Sequence, residues 1–338
     1  MARQLTSASA LAALLLHPDE GFAWVVFAGD SLLRLEFDLL RELVGAEASW
    51  PPDASTFYCQ GQRGEAGPAG GALLHALHCR PGAPALEDAR SELQGLHAAL
   101  RPGQVLLAFT CAFVTAPLAL PAFPPLYPEP HALGVAGFAA RHLLPPPGAC
   151  SGSRNATCWL APTAIIINPG LHPLVRNLTA HDFGLQLRGM YQELWGGSLR
   201  GSSGSGPRLV QHLLLPVDTG KLPAGSWKAL VFTDANIRAF NAEAVLALAW
   251  AQQEQQAQQE QQWPLHVVDV YALAVGGGGA WGEGASGGEA PWTQTVDGWH
   301  FDDEYNRVAL WVDLHLAAGR GSFVFGKGTG FGLGGRLP

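Results

Sequence analysis

The stretch "FAGDSLLRLEF", residues 27 to 37, decides how this chain is read: an apolar run stops at Gly29-Asp30-Ser31, and a leucine-rich amphipathic stretch begins at once behind it. Five β-rich runs, "WVVFAG", "VLLAFTCAFV", "AIIIN", "KALVFTD" and "LHVVDVYAL", are separated by segments long enough to hold a helix. Leu, Phe, Ala and Val at three- and four-residue spacing predict helices over Leu32 to Val44, Leu86 to Leu100, His181 to Leu194, Ile237 to about Gln262, and Asp303 to Leu316. Strands alternating with helices predict an α/β fold with a mainly parallel sheet. Helices over both faces of that sheet give a three-layer α/β/α sandwich.

The chain has 338 residues, 48% of them hydrophobic, enough to bury a large core. Low-complexity inserts interrupt it near 196–208 (Gly/Ser), 252–262 (Gln/Glu) and 276–291 (Gly), and a Gly-rich tail fills 319–338. None of them separates two hydrophobic cores and no period of about 20 to 50 residues recurs, so residues 1–338 read as one domain. The Gln tract is equally readable as a solvent-exposed extension of the Ala-rich helix before it.

Twenty Lys and Arg stand against 28 Asp and Glu, a formal net charge of −8. No basic run or basic-aromatic interleaving offers a surface for phosphates, so nucleic acid is not expected as a partner. Apolar stretches end well short of the ~20 residues a membrane span needs, and no transmembrane segment is predicted. The N-terminal "MARQLTSASALAALLLHPDEG" imitates a signal peptide loosely and fits an amphipathic first helix equally well. Two glycosylation sequons, at Asn155 and Asn177, favour a secretory-lumen location over a cytoplasmic one. The five cysteines contain no CxxC pair of the kind a zinc or redox site uses. Cys150 and Cys158 bracket a polar loop that a disulfide can close in an oxidising compartment.

Ser31 invites two readings. Serine is a favoured helix N-cap, because its hydroxyl accepts a hydrogen bond from a free N–H of the first turn. A serine at a tight strand-to-helix turn also sits at the carboxyl end of a parallel strand, where open α/β sheets bind ligands, beside N–H groups able to hold an oxyanion. Such a serine needs a base. "QTVDGWHFDDEYN" sets Asp297 and His300 three residues apart just before the last predicted helix, a spacing that lets the carboxylate orient the imidazole from behind. The strand run "AIIIN" ends in Asn168-Pro169-Gly170-Leu171-His172, where Asn168 is either a turn former or a donor to an oxyanion. His172 is a candidate substrate contact, as is Trp299 inside the Asp-x-x-His segment. Asp302, Asp303 and Glu304 read as a solvated helix cap, and no metal is assigned to them.

Taken together and in this order, "FAGDSLLR", "NPGLH" and "DGWHF" resemble the SGNH hydrolase superfamily, and within it the PC-esterase branch that includes the trichome birefringence-like and sialic acid O-acetyltransferase groups. The resemblance implies Ser31 as nucleophile, His300 as general base and Asp297 as its orienting acid. It implies an oxyanion hole made by the Ser31 backbone N–H and Asn168, with Gly29, Asp30 and Arg34 supporting the motif. Arg34 is expected to brace the loop or pair with an acidic neighbour. The framework spans about residues 24 to 316, its specific similarity confined to three short motifs. A second-block glycine of that family has no assigned counterpart between Gly45 and Gly137, and the cysteine-rich continuation of the plant polysaccharide acetyltransferases is absent.

The expectation is a cofactor-free serine esterase or O-acyltransferase, acting through an acyl-enzyme on a small-molecule or polysaccharide ester, its acyl acceptor a water or a carbohydrate hydroxyl. The alternative is a catalytically inactive glycan-binding or structural protein that keeps the fold. Sequence does not name the acyl group, the acceptor or the direction of reaction.

Overall fold

The computed structural model describes residues 11, 14–15, 24–43, 72–76, 105–110, 162–175, 178–197, 207–257, 265–271, 273–274 and 295–318. The Cys150–Cys158 loop, Asn155 and Asn177 of the two sequons, the helix expected over Leu86 to Leu100, positions 198–206 of the Gly/Ser insert, the Gly insert at 276–291 and the tail at 319–338 lie outside these residues.

Six strands form one sheet in the order β2-β3-β1-β4-β5-β6. They are β1 (Trp24–Ala28), β2 (Ala72–Ala76), β3 (Val105–Thr110), β4 (Ala164–Ile167), β5 (Arg208–His212) and β6 (Leu265–Val268). Every pairing is parallel. The sheet therefore grows in both directions from β1, the kind of switch point beside which parallel α/β sheets place ligands at the strands' carboxyl ends. The helices are α1 (Ser31–Leu43), α2 (His172–Val175), α3 (Ala180–Gly197), α4 (Lys228–Val231), α5 (Asp234–Ala257) and α6 (Asp303–Ala317).

Two-residue alternation along the strands sorts the core. Trp24, Val26, Ala28, Ile165 and Ile167 join Phe183, Leu187 and Tyr191 of α3 and Ile237, Phe240 and Ala244 of α5 in one hydrophobic cluster. Val25, Phe27, Ile166 and Val210 join Leu33, Phe37 and Leu40 of α1 and Val308, Leu310 and Val312 of α6 in a second. Every residue of β1 and β4 is buried, and these central strands are apolar at every position rather than at every other one.

One expected strand is wrong. "KALVFTD" is not a strand: Lys228–Val231 is the short helix α4, and Asp234 opens α5. The strand between β4 and β6 is instead "RLVQH", which starts at Arg208, the last residue of the Gly/Ser insert. A four-residue apolar run carries no usable period, so helix and strand are indistinguishable in it. The Gln-rich stretch does extend α5, as far as Ala257.

Candidate active site

β1 and β4 run in register with Ala28 opposite Ile167, so the turns leaving them emerge side by side at the carboxyl edge of the sheet. The Asn168 N–H donates to the Ala28 carbonyl at 3.1 Å. A β-carbon on Gly29 would lie 3.0 Å from the Asn168 carbonyl oxygen and 3.1 Å from two side-chain carbons of Leu33. Close passage of two backbones is the physical reason for glycine at that position.

The capping role falls to Asp30, not Ser31. The Asp30 carboxylate accepts the Leu32 N–H at 3.0 Å, and its carbonyl accepts the Arg34 N–H at 3.0 Å as the first helical bond of α1. That leaves the Ser31 hydroxyl for another partner. Its oxygen lies 3.0 Å from His300 Nε2, across 269 residues of sequence.

His300 is held from behind. Its Nδ1 lies 2.6 Å from Asp297 Oδ2, while Asp297 Oδ1 accepts the backbone N–H groups of His300 at 2.9 Å and Trp299 at 3.2 Å. With Nδ1–H donating to the carboxylate, Nε2 presents its lone pair to the serine hydroxyl. Partial burial pushes the Asp297 carboxyl up, but the hydrogen bonds from the His300 backbone, the His300 ring and the Trp299 backbone outweigh it and hold the group below its ordinary value. Asp297 is thus ionised at neutral pH.

The loop carrying this pair is tightly closed. Thr295 and Phe301 form an antiparallel bridge, and the Val296 N–H donates to the His300 carbonyl at 2.7 Å. Gly298, at φ +102°, accepts the Asp218 N–H on its carbonyl oxygen at 2.7 Å, and Lys221 Nζ donates to the Thr295 carbonyl at 2.5 Å. Residues 218–221 therefore brace the loop from outside. On its other side Asp302 caps α6 by accepting the Tyr305 N–H at 3.0 Å.

The Asn168 side chain is buried, 2% exposed, and its oxygen accepts the Gly170 N–H at 2.6 Å. Its amide nitrogen is buried and has no hydrogen-bond partner among the described residues. An orphaned buried N–H₂ costs roughly 1–3 kcal/mol, a debt that a transient anionic acceptor would cancel. Gly170 packs against Asp30, and His172 Nε2 lies 3.8 Å from Asp30 Oδ2, so His172 faces the turn before Ser31 and stays partly open to solvent. Trp299 has Lys228 Nζ 4.2 Å over its ring and Phe232 edge-on at 6.0 Å. Two of its approaches are thereby taken by protein.

Arg34 forms no ion pair among the described residues. It lines an open cleft of about 660 Å³ with Leu35, Asp297, His300, Asp302 and Asn306. Ser31 is not in its wall, so the cleft adjoins the triplet at its Asp297–His300 side.

The structure thus brings together Ser31, His300, Asp297, Asn168, Gly29, Asp30 and His172. The bracing contacts of Asp218 and Lys221 have no sequence signal, because they depend on where β5 exits the sheet. No helix among the described residues is long and apolar enough to cross a membrane. No protein-family model, curated protein or solved structure matches this chain.

Proposed function

We propose that the protein is a serine-dependent acyl-ester enzyme of the SGNH type, a three-layer α/β/α sandwich of the PC-esterase kind. The observation that carries this reading is the unbroken chain from Ser31 Oγ to His300 Nε2 at 3.0 Å and from His300 Nδ1 to Asp297 at 2.6 Å. A hydroxyl is a poor nucleophile at its ordinary pKa, and only a base at hydrogen-bond distance, itself oriented by a third group, makes it a good one. A purely structural serine has no use for an oriented imidazole.

In the first half-reaction the Ser31 oxygen attacks the ester carbonyl carbon and its proton passes to His300 Nε2. The carbonyl oxygen gains the negative charge, which the Asn168 amide and the Ser31 backbone N–H stabilise. The tetrahedral adduct then expels the alcohol, which takes the proton from His300, leaving the acyl group on Ser31. In the second half-reaction a water or a carbohydrate hydroxyl gives its proton to His300 and attacks the acyl carbon, releasing the acid or a new ester and restoring the serine. No cofactor enters this cycle. The cleft beside Arg34 offers room for parts of a substrate beyond the ester.

Incubation with a fluorophosphonate that reacts only with activated serines tests the reading, with 4-nitrophenyl acetate turnover as a second measurement. Wild-type protein is expected to label and turn over, and Ser31→Ala to do neither. Equal labelling of the two proteins, or none of either, overturns it.

A further inference from the structure

Behind the triplet, on the face of the sheet covered by α1 and α6, three ionisable side chains meet in the apolar core. Glu36 of α1 is 2% exposed, and His212 at the end of β5 and Asp313 of α6 are fully buried. His212 Nε2 lies 2.7 and 2.9 Å from the two Asp313 oxygens, and His212 Nδ1 lies 3.8 Å from Glu36 Oε1. Among the described residues, Glu36 Oε2 and His212 Nδ1 have no hydrogen-bond partner. No lysine or arginine among the described residues pairs with any of the three.

The nitrogen facing both Asp313 oxygens carries a proton, since a lone pair there would repel them. That contact is satisfied by a single anion. A second buried anion on Glu36, with no cation assigned to it, carries a desolvation cost no contact offsets, so a proton or a metal ion must neutralise it. The ligand-capable atoms lie within 4.8 Å of one another, close enough for either. Protonation is favoured because His212 Nε2 is already committed to Asp313, which leaves a metal only Nδ1 and the Glu36 carboxylate. We infer that Glu36, held as the neutral acid, His212 and Asp313 form a proton-sharing clasp that fastens the helix beginning at Ser31 to the helix that follows His300.

The surrounding charges push the same way. Burial raises the Glu36 carboxyl well above its ordinary value, and the negative charge of Asp313, the hydrogen bond to it and the charge of Asp30 raise it further. Tyr305 of α6 stays neutral beside the clasp, raised by burial, by Glu36 and Asp313, and by Asp269 at the end of β6, with its hydroxyl donating to the Val270 carbonyl at 3.0 Å. A carboxyl raised in the folded state contributes stability that is complete below the unfolded value, about 4.3, and is lost as pH rises through the folded one. The clasp is therefore an alkaline-sensitive joint between the two helices. Its catalytic consequence rests on the serine-enzyme reading: the three are positioning residues, and the alignment of Ser31 with His300 depends on them.

Glutamine reproduces a neutral Glu36 that cannot titrate, whereas alanine removes the donor. Melting temperatures from pH 5 to 9 of the wild type, Glu36→Gln, Glu36→Ala and Asp313→Asn, with EDTA and with added zinc, are compared with rates of fluorophosphonate labelling. The wild-type melting temperature is expected to fall as pH rises and that of Glu36→Gln to stay flat. Glu36→Gln should label within about 2-fold of wild type at pH 7, and Glu36→Ala and Asp313→Asn at least 10-fold more slowly. Zinc that stabilises the wild type but not Glu36→Gln replaces the clasp by a metal site. Glu36→Gln as impaired as Glu36→Ala, or a pH-independent wild-type melt, overturns the clasp. Folded Glu36→Ala that labels at the wild-type rate removes its positioning role. Wild-type protein that does not label refutes the serine-enzyme reading and the positioning role with it, while the melts still decide whether the clasp exists.

Discussion

Gly170 rests directly against Asp30: a β-carbon on Gly170 would lie 1.9 Å from Asp30 Oδ2. The contact locks the turn after β4 onto the turn after β1, and so fixes the Asn168 amide relative to Ser31. Gly170 also has φ +61°, where a side chain is strained. Gly170→Ala is expected to cost about 1–3 kcal/mol of stability. The rate of phosphonate labelling should fall at least 10-fold in protein that remains folded, because the clash displaces Asp30 and the first turn of α1. Urea melts and labelling rates on one preparation check this, and an Ala variant that labels normally would separate the Asn168 loop from Ser31.

Gly298 does for His300 what Gly170 does for Ser31. At φ +102° its β-carbon would meet the Asp218 carbonyl oxygen at 2.8 Å. Gly298→Ala should open the brace between residues 218–221 and the Asp297 loop, reducing activity far more than global stability, since the loop lies at the surface. Activity toward 4-nitrophenyl acetate near the wild-type level would show that His300 is positioned without that brace.

Local patterns were legible and distant ones were not. Asp297 and His300 could be paired from sequence because their contact spans three residues, one turn of loop. The turn at Gly29-Asp30-Ser31 was legible because an apolar strand and an amphipathic helix flank it. Which residue caps α1 was not, since Asp30 and Ser31 are both good caps and the choice depends on a histidine 269 residues away. β5 was hidden because "RLVQH" adjoins a Gly/Ser insert and its buried Gln211 and His212 read as polar surface. Their polarity is explained only by partners on other elements: Tyr191 donates its hydroxyl to Gln211, and Asp313 faces His212. Glu36 likewise sits on the apolar side of α1, against the helical pattern, and the reason lies on α6 and β5.

Asn241 of α5 secures the chain as it leaves β5. Its buried side chain accepts the Leu214 N–H at 2.7 Å and donates to the Leu214 carbonyl at 3.0 Å. Substitution by alanine leaves two buried backbone groups unpaired, each costing about 1–3 kcal/mol. Asn241→Ala should therefore lose roughly 2–6 kcal/mol in urea unfolding. A loss below about 0.5 kcal/mol, the range of ordinary surface changes, would mean that Leu214 finds other partners.

Asp297→Asn isolates the orienting role of the carboxylate. The asparagine oxygen can still accept the Trp299 and His300 backbone N–H groups, so the loop keeps its closure. The asparagine amide, however, donates where the carboxylate accepted, which forces His300 Nδ1 to accept and places the ring proton on Nε2. A protonated Nε2 cannot take the Ser31 proton, and turnover should drop by about 10³–10⁴-fold with little change in KM. Asp297 is 44% exposed, so solvent screens its pairing and the melting temperature should barely move near neutral pH. Its carboxyl is depressed in the folded state, so the stability it contributes is present above the unfolded value of about 3.9 and is lost only as pH falls through the folded one. Between about pH 5 and 8 the carboxylate is therefore fully ionised, and a rate change across that window does not come from Asp297. Measurement of kcat and KM from pH 5 to 9, with nitrogen-15 shifts of the His300 ring to read its tautomer, checks both halves. A near-normal kcat in Asp297→Asn, with Nδ1 still protonated, would make Asp297 a turn residue and break the chain from Ser31 to the carboxylate.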